Sequence, residues 1–453
     1  MENIEVNGYT LDNYQMEAVK AMNDAVVVVA GAGSGKTLTI QGKIKYLINN
    51  LGYKENEILC LSFTNKSVLD LKSKLNYNVD VYTFHKLSIK LLENDNYKLV
   101  NNNYLDYIIN EYFIYYSLNK SKFSKLLKRY FYTYKSINKI INSKDFNKLK
   151  DDIKYFILLV KSNNLSIYDL INKYRFSFFN NRIIINFIIE IYYIYTSELK
   201  STNQIDLDDL IIYATNKVKN IKLPYKYIII DEFQDTSLIR FNLIYEIIKY
   251  THAKLMVVGD DYQSIYRFNG CKIDIFLSLK KYIKDTKYYY LKHTYRNSNE
   301  LIYVSISFIM KNKYQLKKEI ISNKHEIKPI KIVINKSIDD ILKQVRDALI
   351  LGRNNKDIEN INYNNKMTIH ASKGLEYDRV ILVNSDSIPN KINNSYLLSK
   401  IIDKDEILYA EERRLFYVAL TRTKKDIFIM VNKKMSPFIK ELIRDYRRYI
   451  EII

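Results

Sequence analysis

Short, wholly apolar runs recur along the chain and end abruptly at glycines, serines or acids. Ala25-Val26-Val27-Val28-Val29-Ala30, which stops at Gly31, is the plainest of them. A run that short and apolar at every position predicts a strand buried on both faces, as in a parallel sheet. Ile58–Ser62, Tyr227–Ile230, Leu255–Val258, Val380–Val383 and Ile427–Val431 repeat the pattern. Helical periodicity separates many of these runs, which predicts an α/β frame with parallel sheets. The strands fall into two clusters, one reaching Val258 and one starting near Tyr288.

From His85 to about Gln204 the pattern changes to long amphipathic helices without Gly or Pro. The domain plan that follows is a first α/β domain over 1–85 and 206–283, a helical insertion over 86–205, and a second α/β domain over 284–453. Within the insertion, Lys120–Lys150 is rich in Lys and Arg around a single acid, Asp145, with Phe123, Tyr130, Phe131, Tyr132 and Tyr134 interleaved. Two readings stand side by side: a surface tracking a phosphate backbone, or an amphipathic helix pair with a solvated Lys face.

Composition narrows the class. With 453 residues, 47% of them hydrophobic, the chain is long enough for two or three packed domains and is not of disordered type. No apolar run approaches the ~20 residues of a bilayer span; Ile184–Tyr195 comes nearest and is broken by Asn186 and Glu190. The acidic start Met1-Glu2-Asn3-Ile4-Glu5 does not resemble a signal peptide. Cys60 and Cys271 form no disulfide framework or metal-ligand pattern. Together these features predict a soluble, intracellular protein without membrane contact. A net charge of +21 favours a polyanionic partner, although over-use of Ile, Asn, Lys and Tyr, as an AT-rich genome produces, accounts for it equally well.

Chemistry enters at Ala30-Gly31-Ala32-Gly33-Ser34-Gly35-Lys36-Thr37, which matches G-x-x-x-x-G-K-[ST] directly after a predicted buried strand. Glycines there let backbone N–H groups face phosphates, and the following helix adds its positive end. Lys36 is placed to neutralise β- and γ-phosphates, and the Thr37 hydroxyl to ligate Mg²⁺. Tyr227-Ile228-Ile229-Ile230-Asp231-Glu232 is a second apolar strand, ending in two acids. Asp231 suits the metal, and Glu232 suits orienting and deprotonating an attacking water. An acidic pair at a strand end is often only a solvated cap; the upstream phosphate loop favours the catalytic reading.

Asp231-Glu232-Phe233-Gln234-Asp235-Thr236 closely resembles the D-E-[FY]-Q-D signature of UvrD/Rep/PcrA-like superfamily 1 DNA helicases. Other segments are similar to that family in order: Leu11–Gln15, Ser62–Lys66, Thr83–His85, Val258–Phe268, Thr294–Arg296, Thr368–Glu376 and Glu411–Arg422. The resemblance implies two RecA-like domains with ATP between them. It implies that Gln15 and Tyr295 read or stack on adenine, that Gln263 senses the γ-phosphate, and that Glu376 contacts the nucleotide. It further implies that Arg296 and Arg422 reach the γ-phosphate from across the cleft. For DNA it implies base stacking on Phe63, Tyr266 and Phe268, and backbone contacts from Thr83, His85 and His370. The activity implied is ATP-dependent movement 3′ to 5′ on single-stranded DNA, with unwinding at single/double-strand junctions, in repair, recombination or replication.

Three departures qualify this expectation. Leu38 and Asn269 stand where the family commonly carries Arg, which removes a basic nucleotide contact and a charged link in the coupling motif. Only residues 354–367 separate Arg353 from Thr368, where relatives carry a large mobile subdomain. Its absence points to a minimal motor or to one that relies on an accessory protein. A translocase that unwinds poorly is the alternative enzyme reading. A decayed DNA-binding module is the non-enzymatic one, opposed by intact Lys36, Asp231, Glu232, Arg296 and Arg422.

Overall fold

Every residue of Ala25–Val29 (β1) is buried, as its unbroken β-branched run requires. It lies second from one edge of a six-stranded, wholly parallel sheet. The other strands are Ile58–Ser62 (β2), Asp80–Thr83 (β3), Tyr227–Ile230 (β4), Lys254–Gly259 (β5) and Thr286–Tyr290 (β6), in the order β6-β1-β5-β4-β2-β3. This computed structural model describes residues 4–453 except 94, 102, 132–136, 142, 169–181, 268–269, 346, 391–408 and 433.

A second six-stranded parallel sheet contains Ile330–Ile334 (β7), Ala348–Gly352 (β8), Lys366–Thr368 (β9), Tyr377–Leu382 (β10), Thr423–Val431 (β11) and Ile450–Ile452 (β12), ordered β9-β8-β10-β11-β7-β12. Two RecA-like α/β domains are therefore present, as expected. The boundary between them is not at 284. β6 pairs in register with β1, and Tyr288 packs on the first core, so the first domain keeps its chain through Tyr290. A strand reading Thr-Lys-Tyr-Tyr-Tyr is half-exposed at a sheet edge, and its polar pattern does not reveal which sheet it joins.

The insertion is also shorter than 86–205. Helix Phe84–Leu91 sends Phe84, Leu87 and Leu91 into the first domain's core, and Ile205 joins them there. The separate helical core is built by Tyr104–Ser117, Lys120–Phe131, Lys144–Ser162 and Arg182–Ser201, through residues such as Phe113, Leu126, Ile153 and Phe187. Phe123 and Tyr130 are buried in it, so these two aromatics are packing residues under a basic outer face. Tyr132 and Tyr134 lie outside the described residues. The insertion is tied to the first domain by Lys161, whose buried Nζ pairs with Asp206 at 2.6 Å and Asp209 at 2.9 Å. Nearby, Asn163 Nδ2 donates to Gly270 O at 3.1 Å.

In the second domain, the short stretch where relatives carry the mobile subdomain holds one 3-10 turn, Asn355–Asp357, and then turns and irregular chain up to edge strand β9 at Lys366. Among the described residues, no helix is long and apolar enough to cross a membrane.

Candidate active site

In a parallel α/β sheet, loops at the carboxyl ends of the strands form the binding crevice. The first sheet is aligned so that these ends share one rim, with Val29 opposite Gly259 on one side and Tyr290 on the other. The rim thus gathers Ala30–Thr37 after β1, Asp231–Glu232 after β4, Asp260 after β5 and Thr294–Arg296 after β6. Facing it are loops that precede strands of the second sheet: Lys373–Glu376 before β10 and Arg422 before β11.

The phosphate loop has the backbone its glycines permit. Gly33 and Gly35 adopt φ of 71° and 75°, a region costly for residues with a Cβ. Ser34 Oγ closes the loop on itself, donating to Gly31 O at 2.9 Å and accepting from Gly31 N at 3.0 Å. Helix Lys36–Asn49 starts at Gly35 with no side-chain cap, which leaves its first N–H donors for an anion. Ala30 and Ala32 are buried beneath the loop, and Thr37 follows Lys36 in the first turn.

Lys36 Nζ is ion-paired with Glu232 Oε1. Glu232 also accepts from Gln234 Nε2 at 2.5 Å and lies 3.5 Å from Lys373 Nζ. Burial opposes its charge, but Lys36, Lys373 and these hydrogen bonds outweigh burial and hold the carboxyl well below the usual range. For Asp231 the balance is reversed: burial and then the neighbouring Glu232 push it up to about 6. The two adjacent acids are thus set apart, one firmly ionised and one poised. Glu232 has a left-handed backbone, φ 52°, that turns the chain sharply off β4.

Gln15 is buried beside the loop. Its Oε1 accepts from Asp12 N at 3.0 Å in a capping box, and its Nε2 reaches Ser34 O at 3.4 Å. Tyr295 donates from its backbone N to Gly33 O at 2.9 Å and from its hydroxyl to Asp12 Oδ2 at 2.7 Å, and the residue remains 52% exposed. An exposed ring next to Gln15 and Gly35 has the form of a base-stacking platform.

Arg296 Nε donates to Glu376 Oε2 at 2.8 Å and Nη1 to Thr421 O at 3.2 Å. Its backbone belongs to the segment that leaves β6 and is tied to the phosphate loop, where Thr294 Oγ1 donates to Ala32 O at 2.7 Å. Arg296 therefore sits at the junction of the domains and reaches toward the second; of the two arginines expected across the cleft, only Arg422 comes from the second sheet. Arg422 is buried and donates to Gln263 Oε1 at 3.0 Å, Val418 O at 3.1 Å and Leu375 O at 3.2 Å. Burial, and then Arg296, lower its pKa to about 9.

The residues expected to meet DNA are spread along the same side. Phe63 packs on Phe84, with ring centroids 5.2 Å apart, and carries the Arg240 guanidinium at 5.4 Å on its ring. Thr83 is buried, and its hydroxyl accepts from Lys86 N at 3.2 Å as a helix N-cap. His85 lines a cavity of about 250 Å³ with Asn101, Lys154, Asp208 and Arg240, and burial followed by Arg240 lowers its pKa to about 4. Tyr266 donates to His370 O at 3.1 Å, joining the two domains. His370 is itself shifted down by burial and Arg353. Phe268 and Asn269 lie outside the described residues.

Sequence reasoning did not single out Lys373, Asp235, Asp260 or Lys318. The Lys373 side chain, 7% exposed, pairs with Asp235 while donating to Gln263 O at 2.9 Å. Burial opposes the ammonium, but Asp235 and Glu232 more than offset it and hold the pKa well above its usual value. Its place inside Thr368–Glu376 was the available signal; Lys318 lies in none of the segments quoted above.

Two parallel-sheet domains whose facing rims enclose a phosphate loop, an acidic pair and arginines define the protein as a RecA-like P-loop protein. The family model described as the UvrD/REP helicase N-terminal domain matches residues 11–284, and that of the viral superfamily 1 RNA helicase core domain matches 197–431. The chain belongs to the UvrD/REP helicase family. It is 28% identical over 357 residues to an ATP-dependent DNA helicase Rep of Buchnera aphidicola subsp. Schizaphis graminum, covering 75% of this chain and 50% of that protein. It is 26% identical to DNA helicase IV of Escherichia coli, covering 97% of this chain and 71% of that one. With ATP-dependent DNA helicase PcrA of Staphylococcus epidermidis the identity is 25%, over 67% and 40%. The chain spans about half the length of the Rep proteins it matches. The solved structure of PRRSV helicase is a looser likeness, at a TM-score of 0.36 and 11% identity over 92% of this chain and 54% of that one.

Proposed function

We propose that the protein is an ATP-driven DNA motor that moves 3′ to 5′ along single-stranded DNA and opens duplexes ahead of it. The hydrogen bond from Arg422 of the second domain to Gln263 of the first carries this reading. It makes completion of the ATP site depend on how the two domains meet, which is what coupling hydrolysis to movement requires.

In this reading the Gly31–Gly35 loop and the helix behind it hold the phosphates, and Lys36 leaves Glu232 to neutralise them. Thr37 and Asp231 would hold Mg²⁺. One or two protein oxygens are the usual complement for this ion alongside substrate phosphates, so the donor set fits. Bound Mg²⁺ would supply charge neutralisation at the phosphate oxygens. Glu232, released from Lys36, orients the attacking water and takes its proton. Arg296 and Arg422 stabilise transition-state charge, a role worth ~10³–10⁵ in rate. Tyr295 stacks on adenine, Gln15 hydrogen-bonds the base, and Glu376 holds Arg296 in place. Phe63, Tyr266 and Phe268 grip bases without regard to sequence, each stacked base contributing ~1–3 kcal/mol. Thr83, His85 and His370 add contacts to the sugar-phosphate chain.

The short 355–357 turn favours a second reading, a translocase that unwinds weakly by itself or requires an accessory protein. Two measurements decide between them. Single-stranded DNA is expected to stimulate ATP hydrolysis; equal rates with and without it would exclude a motor. Strand displacement on substrates with 3′ or 5′ tails tests unwinding and polarity together, and displacement of the 5′-tailed substrate alone would reverse the polarity.

A further inference from the structure

An irregular segment, 314–322, leaves the helix Asn299–Ile309 and crosses back over the first domain's strand rim. Ile320 packs where a Cβ on Gly31 would lie. Leu316 N donates to Asp261 Oδ2 at 2.9 Å, and Tyr262 Oη donates to Leu316 O at 2.7 Å. At the centre, Lys318 is buried with a 3% exposed side chain. Its ammonium donates to Ala30 O at 3.0 Å, pairs with Asp260 Oδ1 and with Asp261 Oδ1 at 2.6 Å, and lies 3.8 Å from the centroid of the Tyr262 ring.

Asp260 is the informative partner. Its Oδ2 accepts from Gln263 Nε2 at 2.6 Å, and Gln263 Oε1 in turn accepts from Arg422 Nη2 at 3.0 Å. A side-chain amide has one donor end and one acceptor end. An ionised carboxylate only accepts and a guanidinium only donates, so Asp260 and Arg422 together dictate which way the Gln263 amide faces. One continuous path therefore runs from the phosphate-loop carbonyl through Lys318, Asp260 and Gln263 to the arginine of the other domain.

We propose that Lys318 is a positioning residue for ATP hydrolysis, anchoring Asp260 to the phosphate loop so that Gln263 presents its oxygen to Arg422. The inference rests on the reading of this cleft as an ATPase. A shift of the phosphate loop moves the ammonium, and the ammonium moves Asp260, so the loop's state is reported at Arg422. Without Lys318, Asp260 keeps the Tyr262 N–H at 3.1 Å but loses its tie to the phosphate loop, so Gln263 is held less firmly against Arg422. The loss belongs to turnover rather than to nucleotide affinity.

Removing the lysine alone also strands two buried carboxylates, which destabilises the fold and confounds two effects. The test compares Lys318→Met, the double variant Lys318→Met/Asp261→Asn, which restores the cluster's net charge, and Lys318→Arg, which keeps a cationic donor. ATP hydrolysis is measured on the full chain with saturating oligo(dT) and expressed per folded molecule, with the folded fraction read by circular dichroism. The double variant is expected to recover most of the thermal stability lost in Lys318→Met, yet to keep kcat at least ~10-fold below wild type with ATP KM within ~3-fold. Lys318→Arg should retain turnover within ~3-fold of wild type. Wild-type kcat in the double variant, or a raised KM with kcat unchanged, overturns the positioning role. Wild-type protein without ATPase activity would instead overturn the ATPase reading itself, so the two failures are distinguishable.

Discussion

Replacing Arg422 by Met separates catalysis from stability in a way the structure makes quantitative. Deleting one partner of a buried ion pair ordinarily costs about 3–5 kcal/mol, because the other charge is left alone. Arg422 is different: among the described residues no carboxylate pairs with it, and beyond the adjacent Thr421 it donates to Gln263 Oε1, Val418 O and Leu375 O. Burial and Arg296 hold its pKa at about 9, well below the usual arginine value. That difference corresponds to roughly 4–5 kcal/mol working against the charged form in the folded protein. The sign follows from proton counts. Between pH 9 and the higher, usual arginine pKa the unfolded chain binds the proton more tightly, so the full penalty is present below pH 9. Removing the charge relieves it, while Gln263 Oε1 and Leu375 O lose a donor at a cost of ~1–3 kcal/mol each when left unsatisfied; Val418 O keeps a donor in Thr421 Oγ1 at 3.3 Å. The terms nearly cancel. Arg422→Met is therefore expected to unfold within ~1–2 kcal/mol of wild type in urea at pH 7.5, while DNA-stimulated turnover falls by ~10³ or more. A loss of stability above ~3 kcal/mol would mean the guanidinium is a structural charge after all. Turnover within ~10-fold of wild type would remove it from the catalytic set.

Lys36→Ala should abolish hydrolysis with and without DNA, and a phosphate-release assay that still registers DNA-stimulated turnover would refute the phosphate-loop assignment. Lys161→Met strands Asp206 and Asp209 at the root of the insertion, at a cost of ~3–5 kcal/mol; limited proteolysis should then cut first within 104–201, and unchanged cleavage would show that the pair does not anchor it. His85 is held neutral by burial and Arg240, with its pKa lowered to about 4 from 6.5. The unfolded chain takes up this proton first as pH falls, so the stability is complete above pH 6.5 and is lost progressively down to pH 4. His85→Gln should flatten that decline by on the order of 2–3 kcal/mol, and an unchanged pH–stability curve would argue against a buried neutral imidazole.

Much of the frame was legible because its signals are local. Six apolar runs gave strands where their β-branched, polar-free composition placed them, and the glycine spacing at 31–35 produced the left-handed turns that open a helix to phosphate. The acid pair after β4 was equally visible, since it ends a run that nothing but a buried strand explains. Elsewhere the local signal misled or was silent. Thr286–Tyr290 has two polar residues followed by three tyrosines and no apolar run, and only pairing with β1 assigns it to the first sheet. Phe123 and Tyr130 fit a nucleic-acid surface on composition, yet the helices turn them inward.

By itself the sequence determined the α/β class, the phosphate loop, the acids beside it and the family. Each of these depends on residues within a few positions of one another, whose conformation follows from backbone sterics and hydrophobic period. Tertiary structure alone decided that Arg296 belongs to the junction, that Thr83 caps a helix, and that Lys318, one of 71 Lys and Arg residues, lies under the phosphate loop. Such roles arise from charges brought together across long stretches of chain, where burial sets how strongly they interact. A charged residue in a sequence carries no mark of the partner or the burial it will acquire.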